Sequence, residues 1–591
     1  MAAAFHEKKD IGVIKSIAQF RIDSKQFAVS ISDLGIALKN IDSAKPETVL
    51  SAKKALIISR IAYKRIEYLL EYFFFTSSRI YNRAPKNEIE EPYLEYQEPA
   101  GLQYVEALLF DSLPEVHKNK FQEQIRLLSL AANDLNSLLY QFKGNDSQIL
   151  ESVRIELIRI ISLGITGFDA PLLKTGIAES EASLNSIQKT LTPYFEISKS
   201  KSDSARFYLN RSIEYLNKNQ DFDNFNRLTF LTENALPFQK YLGKMIRDLK
   251  LDMNKDGTLN YQADHIFSKN AFETHFFQND KRSVSSREID LGKRLFFETG
   301  LSGNSSKSCA SCHSPDKYFT DGLAKSNGFE EHSLVKRNAP SLLYSSLQHN
   351  QFWDGRAQNL EAQIENVMKD SLEMNGEISV ILQKLNANKM YKKAFRKALP
   401  NGYKEKIAEN DIYNAIASYI RTLTPFNSPF DKYIEGDKNA ITQNQIVGFN
   451  LFMGKAQCGT CHFAPLFNGL LPPAYALTEF EIIGTTGTDN LAKPEHDKDN
   501  GRFDFRATPF YKGAFKTPTV RNAAVTGPYM HNGAFQSLDT LMEFYNQGGG
   551  AGLGLAIPNQ SLSSQKLNLT EKEKKDIVEF LHALTDNSTD I

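Results

Sequence analysis

This chain of 591 residues has no apolar run long enough to span a bilayer, which takes about 20 residues. Its strongest apolar stretch, Tyr68-Leu-Leu-Glu-Tyr-Phe-Phe-Phe75, is short and broken by Glu71. Net charge is also lacking, since 70 Lys and Arg balance 70 Asp and Glu, so no overall field recruits nucleic acid or an anionic membrane. The opening Met-Ala-Ala-Ala-Phe-His lacks the apolar core of an export signal, which leaves a cytoplasmic chain or one whose signal has been removed. Cysteine is scarce, with four residues, and there is one tryptophan. What remains is ordinary: 41% hydrophobic and 24% charged residues specify a chain that folds, with room for three or four domains.

The four cysteines all fall in two copies of one pattern, Cys309-Ala-Ser-Cys312-His313 and Cys458-Gly-Thr-Cys461-His462. In Cys-x-x-Cys-His two thiols bond the vinyl groups of one haem, and the adjacent histidine becomes the proximal iron ligand. A redox dithiol or half of a zinc site are the alternatives. Neither needs a histidine in both copies, and a zinc site built from all four cysteines would use neither one. Two covalent haem c groups are the stronger reading. Such haem is attached outside the cytoplasmic membrane in bacteria, so a periplasmic or cell-envelope location is expected, with no disulfide.

Residues 1–270 hold no cysteine and little Gly or Pro. Apolar residues recurring at spacings of three and four predict helices over Pro46–Tyr81, Gln122–Phe142, Asp146–Ser162, Ala178–Phe195 and Asp203–Asn219. From about 271 short helices alternate with loops such as Ser302-Gly-Asn-Ser-Ser306 and Gly548-Gly-Gly-Ala-Gly552. The fold class is mainly α: a helical bundle (1–270), then two cytochrome c-like haem domains with long loops (271–430 and 431–591), with a seam at Thr424-Pro-Phe-Asn-Ser-Pro429. Similar preludes precede the two pentads, Leu291-Gly-Lys-Arg-Leu-Phe-Phe and Val447-Gly-Phe-Asn-Leu-Phe.

The first of these preludes, with Arg337-Asn-Ala-Pro-Ser, Phe352-Trp-Asp-Gly-Arg356, Lys516-Thr-Pro-Thr-Val-Arg-Asn522 and Thr526-Gly-Pro-Tyr-Met-His-Asn-Gly533, resembles the bacterial di-haem cytochrome c peroxidases and their MauG-type relatives over about 288–585. The resemblance implies a peroxidatic first haem on His313 and an electron-accepting second haem on His462, bridged by Trp353. It places Glu373 as the proton-transferring acid–base group and Gln363 in the distal pocket, although a surface helix would carry both residue types too. His332 matches a removable ligand of the first iron, and a lone loop histidine is otherwise simply solvated. Asn338, Thr526 and Pro528 match an interdomain calcium site, for which oxygen donors suit a hard cation.

The sixth ligand of the second haem departs from the plain peroxidase pattern. Where classical members carry Met this chain has Tyr545, as in the MauG branch, with Met530 as the rival ligand. A phenolate favours oxidised iron and a thioether raises the potential. The expected activity is reduction of hydrogen peroxide with electrons from a small redox protein, a cytochrome c or cupredoxin. The alternatives are a MauG-type enzyme that spends peroxide's oxidising equivalents on a protein or organic substrate, and a non-catalytic electron carrier. Nucleic acid is not an expected partner, and a homodimer is admitted.

In the N-terminal half, Ser59-Arg-Ile-Ala-Tyr-Lys-Arg-Ile-Glu67 and Pro99-Ala-Gly-Leu-Gln-Tyr-Val-Glu106 resemble the imelysin-type helical domain. Gln103 stands where that pattern has histidine, which speaks against metal binding there. Asp252-Met-Asn-Lys-Asp-Gly-Thr-Leu-Asn260 fits half of an EF-hand loop with Gly257 at its turn, but Ala263 occupies the place of the bidentate carboxylate, so a turn is the better expectation.

Overall fold

The computed structural model describes residues 10–90, 95–278, 284–399 and 405–588; the chain's opening residues lie outside these. The fold is mainly α. Among the described residues the strands form two small antiparallel pairs, β1 (Glu88–Glu90) with β2 (Glu95–Gln97), and β3 (Phe480–Glu481) with β4 (Phe515–Lys516). The chain divides into two compact units. The first takes the described residues through Ala271 together with Asn450–Thr460 and Pro472–Ala474, and the second takes the rest.

Unit 1 is a helix bundle. Helix α1 (Val13–Lys39) buries Phe20, Phe27, Ile31, Leu34 and Leu38, a stripe at spacings of seven, four and three, against α2 (Pro46–Lys64) and α3 (Lys118–Asp134). Each such side chain contributes roughly 1.5–3 kcal/mol on burial. Further helices run over Asp146–Arg159, Gly176–Ser198 and Asp203–Lys218, close to the expected bounds. Two expected helices are shorter than their periodicity suggests. Pro46–Tyr81 breaks into Pro46–Lys64, Glu67–Phe73 and Phe75–Ser78. The break at Arg65–Ile66 accompanies the buried Lys64–Glu67 pair, and at the second break Phe73 and Phe74 both turn onto Phe142. Gln122–Phe142 ends at Asp134, where the Ser137 hydroxyl donates to the Asp134 carbonyl and competes with helix continuation.

The bundle holds an ionic cluster at its centre. Arg60 forks onto Glu179 at 2.8 and 3.0 Å and lies 3.8 Å from Glu106; all three side chains are buried. Lys64 binds Glu67 and Asp169, and Arg159 lies between Glu67, Glu71 and Glu156. Burial pushes the Glu67 carboxyl up to about 8 although Lys64 opposes it. The two segments that resemble the imelysin pattern therefore meet, through Arg60 and Glu106. The Gln103 amide donates to Asn82 O and Asp169 Oδ1. Asp252–Asn260 is a turn in which Asn254 Oδ1 accepts the Asp256 N–H. Among the described residues no three His, Cys, Asp or Glu side chains group as a metal site.

Unit 2 repeats one packing device. Gly292, in α4 (Ser286–Phe296), lets that helix meet the Ala415 carbonyl of Glu409–Ile420, where any Cβ would overlap it. Gly448, in the second prelude, does the same against the Asp576 carbonyl of Glu571–Ala583. Phe296 then packs with Phe319 and Tyr419, and Phe449 with Phe430 and Phe580. The Thr424–Pro429 segment is pinned, because Asp586 accepts from Tyr344 OH and from the Asn427 N–H.

Breaking a buried ion pair by removing one partner costs about 3–5 kcal/mol, because it strands the other charge. Glu179→Gln is expected to lower the stability of the bundle by that amount, read by denaturant unfolding; a change under about 1 kcal/mol, the scale of exposed pairs, would contradict it.

Candidate active site

Each pentad begins with a tight turn. In Cys309–Ser311 the Ser308 N–H donates to Ser311 Oγ and the His313 N–H to the Cys309 carbonyl, both at 3.0 Å. Winding of this kind gathers residues i, i+3 and i+4 on one side, which is what joining two thiols and an imidazole to one ring requires. The second pentad turns likewise over Cys458–Thr460.

Both histidines are oriented from behind. His313 Nδ1 lies 3.0 Å from the Phe319 carbonyl, and His462 Nδ1 lies 3.0 Å from the Pro518 carbonyl of the Lys516-Thr-Pro segment. A carbonyl only accepts, so Nδ1 carries the proton and Nε2 presents its lone pair, the tautomer an iron ligand needs. Burial lowers both imidazoles, His462 to about 4, and keeps them neutral. Burial also pushes the Cys309 and Cys458 thiols up to about 12. A redox dithiol draws its reactivity from a lowered thiol pKa, the opposite condition. All four cysteines are free of disulfides. The donor set therefore fits two covalent haems.

Glu373 sits in the turn after Leu360–Lys369. Its loop is tied to the first pentad's surroundings by the Gly303 N–H to Met374 O bond at 3.0 Å and the Phe329 N–H to Leu372 O bond at 2.8 Å. Burial, with Asp370 adding to it and Arg356 opposing, pushes the Glu373 carboxyl up to about 7. Its charge is among those that raise the Cys312 thiol, which puts the carboxylate near that pentad. Gln363 is half-buried on Leu360–Lys369.

Trp353 is clamped on three sides. Its Nε1–H donates to the Asn338 carbonyl at 2.9 Å, its own carbonyl accepts the Lys516 N–H at 2.7 Å, and the His531 ring meets it edge-on with centroids 6.4 Å apart. Around it lies an ion network that sequence reasoning did not assemble. Arg337 forks onto Asp499 at 2.7 and 2.8 Å and reaches Asp354 at 2.6 Å, and Asp354 also binds Arg356. His531 stacks on Phe515 at 3.5 Å and hydrogen-bonds Asp497 at 2.5 Å. Burial raises the Asp499 carboxyl, but the Arg337 fork outweighs it and holds it at about 2. Burial brings the Lys516 ammonium down to about 7 against the pull of Asp354; it donates to Asn350 O and Gln348. Arg337, Asp354, Arg356, Lys516 and His531 all lie in the signature segments, whereas Asp497 and Asp499 come from a polar loop with no local signal.

The remaining candidates are less engaged. The His332 side chain is 91% exposed, beside Glu331 at 3.7 Å, on a left-handed backbone. Asn338 Nδ2 donates to the Leu323 carbonyl, leaving Oδ1 as its donor atom for a cation, and its N–H joins His531 O at 2.7 Å, three residues beyond Pro528. Thr526 Oγ1 is taken up by the Asn522 carbonyl, so a cation would use main-chain oxygens there. Tyr545 lies half-buried on Leu538–Asn546 against Phe544, and Met530 occupies a left-handed turn position. No helix among the described residues is long and apolar enough to cross a membrane.

Two pentads with oriented histidines, joined to a clamped tryptophan and a carboxyl raised to about 7, define a c-type di-haem protein with redox chemistry. Residues 286–439 match the family described as di-haem cytochrome c peroxidase. A cytochrome-c peroxidase of Denitromonas iodatirespirans is 33% identical over 316 residues, which is 50% of this chain and 81% of the relative. The methylamine utilization protein MauG of Methylorubrum extorquens is 34% identical over 301 residues, 51% of this chain and 79% of that protein. Among solved structures, a MauG-like protein associated with microbial copper homeostasis is 30% identical over 51% of this chain and 91% of its own, with a TM-score of 0.46. The chain belongs to the di-haem cytochrome c peroxidase and MauG family, which implies two c-type haems and a peroxide-using enzyme.

Replacing Cys309 and Cys312 together with Ser is expected to leave one covalent haem per chain instead of two, counted from the pyridine haemochrome spectrum. Retention of both would contradict the assignment of the first pentad.

Proposed function

We propose that this protein reduces hydrogen peroxide at the His313 haem, with electrons relayed from the His462 haem through Trp353. The overall balance is H2O2 plus two electrons and two protons giving two waters, the electrons coming from a small redox protein such as a cytochrome c or cupredoxin. The haem supplies the iron that binds peroxide and gives up electrons. Glu373 takes the proton from the near oxygen of peroxide and returns it to the far one, and Gln363 orients the bound molecule beside it. The observation that carries this reading is the Glu373 carboxyl, raised to about 7 near the first pentad, because efficient proton transfer wants a pKa close to the working pH.

Several finer points belong to the same reading. The solvent-facing His332 suits a first haem open to peroxide, with this residue as its removable ligand. Asn338 Oδ1 with the Thr526 and Pro528 carbonyls would hold one calcium ion. Each pentad has its own domain, divided near 430, in a protein of the periplasm or cell envelope. Tyr545 as sixth ligand of the second haem favours a second version, in which that haem stores an oxidising equivalent and spends it on a protein or organic substrate.

The test is Glu373→Gln. Loss of an acid–base group costs roughly 100- to 10,000-fold in rate. As proton acceptor Glu373 must be ionised, and the ionised fraction rises with pH through about 7, so the native enzyme loses activity below that pH. The variant is expected to be slow and to lack this limb in steady-state peroxide reduction. A near-native rate with the limb intact would overturn the role.

A further inference from the structure

The helical unit reaches beyond the N-terminal residues. It takes in Asn450–Thr460, and with them Cys458, one of the two cysteines of the second pentad. The contacts that seat this segment are specific. Asn450 Oδ1 accepts the Leu228 N–H at 2.9 Å, at the start of the short helix Arg227–Phe230, and Asn450 Nδ2 donates to Asn226 Oδ1 at 3.2 Å. The π-turn Ile160–Gly164, which ends the helix Asp146–Arg159, packs on Cys458–Thr460.

Beside this segment lies a buried cation whose hydrogen bonds go to main-chain carbonyls, with Asp223 acting on it only through space. Arg227 is 0% exposed. Its Nε donates to Ile165 O at 2.8 Å, Nη2 to Phe222 O at 2.8 Å and Nη1 to Phe225 O at 3.2 Å, and the guanidinium lies 4.5 Å over the Phe222 ring. These are neutral acceptors; Asp223 draws on the charge without bonding it and is itself paired with Lys174 at 2.6 Å, so the guanidinium is only partly compensated in a medium of low polarisability, where its field is felt strongly. Burial lowers it only to about 10, and it remains protonated at neutral pH. The guanidinium lies against Gly454, four residues before Cys458; any Cβ at that position would overlap it.

We propose that the helical unit is an electrostatic support for the second haem, with Arg227 as the positioning residue that biases this haem toward its reduced form. Reduction removes one positive charge from the iron centre, so a fixed neighbouring cation favours it. This rests on the reading that Cys458–His462 carry a haem.

The test is a spectroelectrochemical titration of the full-length holo-protein and of Arg227→Gln, with covalent haem counted first and the two steps assigned through the single-haem variant. Arg227→Gln is expected to weaken reduction of the second haem about tenfold, a downward shift of about 59 mV for one electron, and to leave the first haem in place. Arg227→Lys, which keeps the charge, is expected to stay near the native value. Should Arg227→Gln fail to fold, Gly454→Ala dislodges the guanidinium at constant charge and is expected to lower the same step. An unmoved second step in folded Arg227→Gln or Gly454→Ala, or equal shifts of both haems, would overturn the proposal. A native protein with one haem would instead overturn the reading of the second pentad.

Discussion

The site depends on a hydrogen bond behind each pentad histidine, from Nδ1–H to a main-chain carbonyl. It fixes the ring plane and forces the tautomer that leaves Nε2 as a donor. One acceptor is local, six residues after its histidine, and the other comes from 56 residues further along the chain. The Phe319 carbonyl is presented by a turn in which Tyr318 and Phe319 both take left-handed backbone, held by the Ser341 hydroxyl on the Tyr318 carbonyl. The Pro518 carbonyl belongs to the segment whose Lys516 N–H pins Trp353. Anything that disturbs that segment therefore reaches both a haem ligand and the residue read as the electron bridge.

The ion network around Trp353 answers a desolvation problem. Arg337, Asp354 and Asp499 are largely drawn out of water, and such charges persist only with close partners and good geometry. The Arg337 fork onto Asp499 with a third bond to Asp354 supplies this, and Arg502 adds a bond to the Asp354 carbonyl at 2.7 Å. The gain is rigidity about the indole rather than net stability. An electron bridge benefits, because transfer between fixed centres is degraded by motion of the bridge. The bundle of unit 1 meets the same problem by packing Arg60, Lys64 and Arg159 among carboxylates.

The chemistry was legible in the sequence wherever it is local. Cys-x-x-Cys-His is defined by covalent spacing, and Gly292 and Gly448 stood out at matching offsets because helix contact at a carbonyl tolerates no Cβ. The helices over Asp146–Arg159, Gly176–Ser198 and Asp203–Lys218 followed from their apolar period. What stayed hidden depends on tertiary pairing. The break after Lys64 accompanies charges at Glu67 and at Asp169, the latter more than a hundred residues away, and Asp497 and Asp499 read as a solvated loop until Arg337 and His531 meet them. Arg227 looks like any surface arginine; only Gly454, from a distant stretch, reveals its seat.

The most direct test of the account is to reduce the holo-protein fully, so that it holds one electron on each haem, and to titrate it anaerobically with hydrogen peroxide while following both haems optically. The account predicts that one equivalent of peroxide removes both electrons, with the His313 haem changing first and the His462 haem following through Trp353. Two haems that stay reduced in the presence of excess peroxide would contradict it.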